Sequence, residues 1–209
     1  MELFRVLAAI AVAYLLGSFP AGYLLGRMWG VNVLKWGSGR TGGTNVLRSA
    51  GPVAALLTGA LDVGKGALAV WVAGQVAVGE YQALAQVLAG AAAILGHNYS
   101  VFLGFRGGAG VGTSLGALSV VYWPAALALL ILLLVVIAVT RYASVGSLVV
   151  VTTMPLILLA LAVSGHLVLT YVAYGMLAWA IIVYSHRPNI RRLLQGKERR
   201  LGNKPQKNP

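Results

Sequence analysis

The chain has 209 residues, 59% hydrophobic and 10% charged, with a mean hydropathy of +0.83; soluble domains average nearer half apolar, and the apolar excess here falls in blocks, so an ordinary soluble domain is excluded. A net charge of +12 comes from 16 Lys and Arg against 4 Asp and Glu, but the basic residues sit in short loops and one tail, which fits membrane topology and argues against nucleic-acid binding. There is no cysteine, so disulfides, thiolate metal sites and a Cys nucleophile are excluded.

Seven apolar segments follow in order: Leu3–Leu25, Pro52–Val78, Tyr81–Leu95, Ala109–Val121, Trp123–Thr140, Val145–Val163 and Leu167–Tyr184. A bilayer core of roughly 30 Å takes about 20 apolar residues as helix. The first segment is too long for a signal-peptide core and is read as a retained span. The third and fourth are short and flank the Gly-rich stretch His97–Gly110, which predicts a re-entrant or half-buried loop. Pro124 is predicted to start a span and Pro155 to kink one. The expectation is an all-α integral membrane fold of seven transmembrane helices with Gly-rich cytoplasmic, partly re-entrant loops. Residues 1–190 form one membrane domain, and residues 191–209 form a basic cytoplasmic tail. The part from Gly196 to Pro209 is expected to be frayed at the headgroup surface.

Orientation follows from the basic residues. Arg27, Lys35, Arg40 and Arg48 lie in one loop, Arg106 and Arg141 in later ones, and eight more in the tail from Arg187; Arg5 lies in the first segment and Lys65 in the second. The alternate loops hold Glu80 or Ser164-Gly165-His166 and no Lys or Arg. Seven spans put every basic loop on one side, the cytoplasm, with the N-terminus outside.

The polar groups concentrate in those basic loops. The first reads Trp36-Gly-Ser-Gly-Arg-Thr-Gly-Gly-Thr-Asn-Val-Leu-Arg48. Its four glycines let consecutive amides turn toward one anion. Ser38, Thr44 and Asn45 add neutral hydrogen-bonding groups, and Arg40 and Arg48 add forks suited to phosphate. A bland reading, a flexible loop with topogenic arginines, competes with this. The second loop, Gly96-His-Asn-Tyr to Gly-Phe-Arg-Gly-Gly-Ala-Gly110, repeats the recipe. His97, Arg106, Gly107, Gly108 and Gly110 are its candidate ligands; close packing of small residues is the alternative. Ser147 and the run His186-Arg-Pro-Asn189 add further donors on the same predicted face. Cations and neutral donors with almost no carboxylate point to a phosphate-bearing ligand at the membrane surface. Asp62 and Lys65 lie three residues apart in the second span, as a functional pair or an internal ion pair. His97 and His186 are each a general base or a neutral donor. No spacing suits a metal, and no cofactor is expected.

These motifs together resemble one family. Gly17-Ser-Phe-Pro-Ala-Gly22, Gly37-Ser-Gly to Gly-Thr-Asn45, Leu61-Asp-Val-Gly-Lys-Gly66, Gly96-His-Asn-Tyr to Gly110 and His186-Arg-Pro-Asn-Ile190 occur in the order of the bacterial acyl-phosphate-dependent glycerol-3-phosphate acyltransferase family. The resemblance runs to about Leu201. It implies seven spans, an outside N-terminus, a cytoplasmic active site in the plasma (inner) membrane and a place in phospholipid biosynthesis. It also implies acyl transfer from acyl phosphate to the 1-hydroxyl of glycerol 3-phosphate, giving lysophosphatidic acid and phosphate. Membrane lipids surround such a protein. Carried over by position, Ser38, Arg48, Ser147, His186 and Asn189 match polar groups that hold phosphate in the family. Of these, Ser38, Arg48 and His186 are read as catalytic. Two departures stand out: Gly107-Gly-Ala-Gly110 has Ala109 where the family has Lys, and Gly37-Ser-Gly-Arg40 has Arg where it has Asn. They keep a rival reading open, a non-catalytic or repurposed paralogue that binds an anionic lipid or phosphoester.

Overall fold

The computed structural model describes residues 1–202. Among these, nine α-helices and two 3-10 turns make up the regular structure: α1 Glu2–Ser18, α2 Ala21–Met28, α3 Gly43–Ala50, α4 Pro52–Val76, α5 Tyr81–Asn98, α6 Val111–Thr140, α7 Ala143–Val163, α8 Thr170–Ser185 and α9 Arg187–Leu194, with 3-10 turns at Val33–Lys35 and Val101–Leu103. Four helical stretches are long and apolar enough to cross a membrane: Glu2–Met28, Pro52–Val76, Val111–Thr140 and Ala143–Val163; Thr170–Ser185 is a shorter apolar helix.

The first apolar segment is not one helix. It breaks at Phe19, whose backbone is extended, before Pro20. A proline disfavours helical backbone in the residue before it and supplies no N–H. The carbonyl of Phe19, freed by the break, accepts a hydrogen bond from Lys65 Nζ at 3.0 Å. Pro155, by contrast, lies inside α7, which runs through it from Ala143 to Val163.

The fourth and fifth predicted segments are joined as α6, interrupted at Tyr122 (φ −157°, ψ 90°) two residues before Pro124. Pro124 cannot donate to the carbonyl of Val120, and its ring clashes there, so the helix breaks. A straight helix of 30 residues would be roughly 45 Å long. Yet Val111 and Gly112 near its start and Leu133 and Ile137 near its end line the same cavity. The chain therefore folds back at Tyr122 into two limbs. The first limb, Val111 to Val121, is roughly 17 Å long, about half a hydrocarbon core.

Small residues permit close approach, as helices in lipid require. A Cβ on Gly66 would lie 2.1 Å from the carbonyl oxygen of Thr113, and one on Gly116 would lie 1.9 Å from that of Val63. So α4 and the first limb of α6 touch backbone to backbone. α1 meets α5 in the same way: a Cβ on Gly17 would lie 2.1 Å from the carbonyl oxygen of Ala93. Around that contact Ala9, Ala13, Ala69, Ala73, Ala85 and Ala89 are fully or almost fully buried. The larger side chains Ile94, Leu118, Leu129, Met154, Leu158, Tyr174 and Ile182 build a second core joining α5 to α8. Buried Tyr174 places its hydroxyl by donating to the carbonyl of Ser114 at 2.7 Å.

Candidate active site

One cavity, of about 210 Å³, collects most of the residues that the sequence singled out. Ser38, Arg40, Thr44, Asn45, Arg48, His97, Gly110, Ser147, His186 and Asn189 all line it. Three candidates do not. Arg106 is exposed and lies outside it. The 3-10 turn Val101–Leu103 and a single antiparallel bridge between Ser100 and Arg106 carry that part of the loop away, with Phe102 and Phe105 exposed beside it. Gly107 and Gly108 lie behind the cavity wall. A Cβ on Gly108 would sit 1.9 Å from His97 Nε2, and one on Gly107 would sit 2.0 Å from the His97 carbonyl oxygen. The two glycines are spacers against His97. The Gly108 amide is spent on the His97 carbonyl at 2.9 Å.

The first loop also differs in detail from a simple anion nest. The Ser38 amide donates to Asn45 Oδ1 at 3.0 Å, the Gly39 amide to Trp36 at 2.9 Å, and the Thr41 amide to Gly107 at 3.2 Å. Asn45 Nδ2 lies within 3.0 Å of the carbonyls of Val33, Trp36 and Arg40. The side chain of Asn45 is thus committed to shaping the loop. Gly37, at φ 58°, leaves room for it, because a Cβ there would lie 2.4 Å from Asn45 Oδ1. Gly42, Gly43 and Thr44, at the start of α3, line the cavity.

That start is one of four. Gly110 caps the start of α6, Tyr142 that of α7 and His186 that of α9. Gly110, Val111 and Gly112, then Ala143 and Ser144, then His186 and Asn189, bring these beginnings to the same cavity. Helix N-termini present unpaired N–H groups and a partial positive charge. Three helical limbs end there, α5, the second limb of α6 and α8, and carbonyls in their last turns accept from the chain itself: that of Ile137 takes the Arg141 amide at 2.8 Å. The His97 carbonyl takes the Gly108 amide, the Ser185 carbonyl takes the Arg40 guanidinium, and the Ile182 carbonyl takes His186 Nδ1 at 2.8 Å.

Full charges reinforce the partial ones. Arg40 donates to Asn189 Oδ1 at 3.2 Å. Burial first, and Arg192 second, push its pKa down, while Glu198 and Tyr99 pull it back. Arg48 is lowered by burial and then by Arg199. A guanidinium stays charged regardless, so both groups gain from an anion. Arg48 makes one hydrogen bond among the described residues, from its NH2 to the Arg199 carbonyl at 3.2 Å, and its Nε is buried without a partner. His186 is buried, and desolvation, with a smaller push from Arg40, lowers its pKa against the Ile182 carbonyl and Glu198. Because a carbonyl only accepts, Nδ1 carries the proton and Nε2 keeps its lone pair.

Asp62 lines the cavity too, but its charge is answered. Lys65 Nζ lies 2.9 Å and His97 Nδ1 3.3 Å from its Oδ1. Lys65 also holds the break between α1 and α2, through Phe19. The pair in the second span is therefore an internal ion pair that reaches the site through His97. Among the described residues no three His, Asp or Glu side chains converge.

Sequence reasoning missed Glu198 and Arg199, which line the cavity from a tail expected to be frayed. The available signal was that Glu198 is the single acidic residue of the basic tail. Residues 203–209 lie outside the described part.

Comparison with known proteins shows the family. A family model described as glycerol-3-phosphate acyltransferase matches residues 7–196. A glycerol-3-phosphate acyltransferase of Synechococcus sp. (strain CC9902) is 44% identical over 199 residues, 95% of this chain and 96% of that protein. One of Rhodospirillum rubrum is 43% identical over 210 residues, 98% and 95% of the two chains. The crystal structure of PlsY (YgiH), an integral membrane glycerol 3-phosphate acyltransferase in its glycerol 3-phosphate form, superposes with a TM-score of 0.83 at 35% identity, covering 94% of this chain and 96% of that one. Its lysophosphatidic acid form gives 0.82 at 34% identity. The chain belongs to the glycerol-3-phosphate acyltransferase family of integral membrane enzymes.

Proposed function

We propose that this chain transfers a fatty acyl group from acyl phosphate to the 1-hydroxyl of glycerol 3-phosphate, releasing lysophosphatidic acid and inorganic phosphate. The observation that carries the proposal is the convergence of four helix N-termini and two arginines on one cavity, a field that favours phosphoryl groups. A related enzyme has been solved in glycerol 3-phosphate and lysophosphatidic acid forms, which supports the same ligand classes here. Leu133 and Ile137 give the cavity one apolar wall, suited to the start of an acyl chain.

In this reading the amides at the start of α3, Ser38 and Arg48 hold one phosphate, and Ser147, His186 and Asn189 position the other. Thr44 and the amides around Gly110 complete the cradle, and Asn45 acts by shaping the first loop. The 1-hydroxyl oxygen attacks the acyl carbon, and its bond to the phosphate oxygen breaks. Phosphate leaves with that electron pair, and the hydroxyl proton passes to His186 Nε2 or to the departing phosphate. Acyl phosphate is already activated, so catalysis is mainly alignment and charge stabilisation.

The same reading takes the chain as seven spans in a membrane domain of residues 1–190. It is supported by the alternation of helix ends at the cavity: α5, the second limb of α6 and α8 arrive there, while α4, the first limb of α6 and α7 leave. The cavity then faces the cytoplasm of a plasma membrane, the N-terminus lies outside, and the Gly-rich loop before α6 is re-entrant. The test is one assay: purified protein with acyl phosphate and labelled glycerol 3-phosphate, scored for lysophosphatidic acid. Binding of glycerol 3-phosphate without product would favour the non-catalytic paralogue, for which Ala109 in the cavity wall is the motive.

A further inference from the structure

Beyond α9 the chain crosses back over the cavity from Lys197 to Gly202. Main-chain groups pin this strap at two points: Arg48 donates to the Arg199 carbonyl at 3.2 Å, and the Leu201 amide donates to the Arg141 carbonyl at 2.7 Å. Arg200 Nε adds a third contact, to the Tyr142 hydroxyl at 2.9 Å. Glu198 sits at its centre, with its side chain 6% exposed. Glu198 Oε1 accepts from Asn189 Nδ2 at 2.8 Å and from Ser144 Oγ at 3.1 Å, and Oε2 accepts from Arg192 Nε at 2.8 Å.

Asn189 therefore stands between two charged groups of opposite hydrogen-bonding character. Arg40 can only donate, and does so to Oδ1 at 3.2 Å; Glu198 as a carboxylate can only accept. One orientation of the amide satisfies both. It commits Oδ1 to Arg40 and one N–H to Glu198, and it leaves the second N–H of Asn189 on a residue that lines the cavity. Without the carboxylate Arg40 alone holds the amide, through Oδ1, and the direction of its two N–H groups is no longer fixed from the nitrogen side.

We propose that Glu198 is a positioning residue of the active site. It locks the Asn189 amide with its nitrogen available to the phosphate of glycerol 3-phosphate, and it draws residues 197–202 in as part of the cavity wall. The inference rests on the functional reading above. It differs from a role in merely neutralising Arg192, under which Glu198 would act independently of Asn189.

The experiment is a binding cycle by isothermal titration of glycerol 3-phosphate into the purified full chain in detergent. The proteins are the parent, Glu198→Gln, Asn189→Ala, the double variant, and Glu198→Gln combined with Arg192→Met. Glu198→Gln is expected to weaken binding roughly tenfold in the parent and less than about threefold beside Asn189→Ala, the non-additivity of residues acting through one contact. Arg192→Met is expected not to restore binding. An equal loss in both backgrounds, no loss at all, or rescue by Arg192→Met would overturn the proposal. If Glu198→Gln does not yield a monodisperse protein, Glu198→Asp, which draws the carboxylate back by one methylene, is carried through the same cycle with the same expectations. A parent that binds no glycerol 3-phosphate overturns the functional reading, and this inference with it. A parent that binds but shows additive losses overturns this inference alone.

Discussion

Replacing Arg48 by Ala separates an anion-binding role from a scaffolding one. The guanidinium makes one hydrogen bond to the rest of the described chain, at 3.2 Å to the Arg199 carbonyl, and its Nε is buried without a partner. Losing that bond costs about 0.5–1.5 kcal/mol of stability, at most a few degrees in melting temperature. The remaining donors are free for phosphate. Truncating one partner of a desolvated, hydrogen-bonded charge pair costs about 2–5 kcal/mol, which is roughly 30- to 5,000-fold in rate. Arg48→Ala should therefore lose that factor in kcat/KM for glycerol 3-phosphate while melting near the parent. Arg48→Lys should recover part of it, because a point charge replaces the forked pair. The assay is initial-rate formation of lysophosphatidic acid at subsaturating glycerol 3-phosphate, with a melting curve on the same preparation. Near-parental turnover by Arg48→Ala, or a loss matched by unfolding, would refute the reasoning.

Three further outcomes are expected. Arg40 and Ala109 line one cavity, so Arg40→Asn should weaken catalysis and Ala109→Lys should restore part of it in the double variant, with a coupling of about 0.5–3 kcal/mol; strict additivity in kcat/KM would show that they do not share an anion. His186 has its pKa lowered from the usual 6.5 by burial, so the unfolded chain takes up this proton first as pH falls. Stability from this group is thus present above about pH 6.5 and is lost below it, down to the lowered folded value. The acidic limb of kcat/KM should accordingly lie below pH 6.5 and disappear in His186→Asn, and an unchanged limb in that variant would assign it to another group. Accessibility labelling of single cysteines at positions 40 and 80, with a tag after Pro209, should report cytoplasm, outside and cytoplasm respectively; finding positions 40 and 209 on opposite sides would end the seven-span reading.

Read alone, the sequence determined that the chain is helical and lives in a membrane, because blocks of apolar residues with one-sided basic loops have no other economical solution. It also singled out most of the polar residues that line the cavity. Arg40, Arg48, His186 and Asn189 are polar groups in a chain that is otherwise short of them, and the motifs around them are specific enough to show the family. Tertiary structure decided which groups meet. Arg40 and Arg106 are both arginines in Gly-rich loops, yet Arg40 lines the cavity and Arg106 is exposed outside it, because the bridge from Ser100 to Arg106 turns one loop outward. The break at Tyr122 falls where the sequence divides two apolar segments ahead of Pro124, but a proline marks only the interruption; that the two limbs fold back so that Val111 and Ile137 line one cavity is decided by packing. Asn45 reads as a ligand from its neighbours in sequence, but its amide is consumed by three carbonyls of its own loop. Glu198 reads as part of a frayed tail because the contacts that fold residues 197–202 back, from Ser144 to Glu198, Arg48 to Arg199 and Leu201 to Arg141, come from residues distant in sequence. Apolar periodicity records which surfaces avoid water. The place where helix ends converge depends on how Gly66, Gly116 and Gly17 let backbones touch, and that contact exists only once the helices have packed.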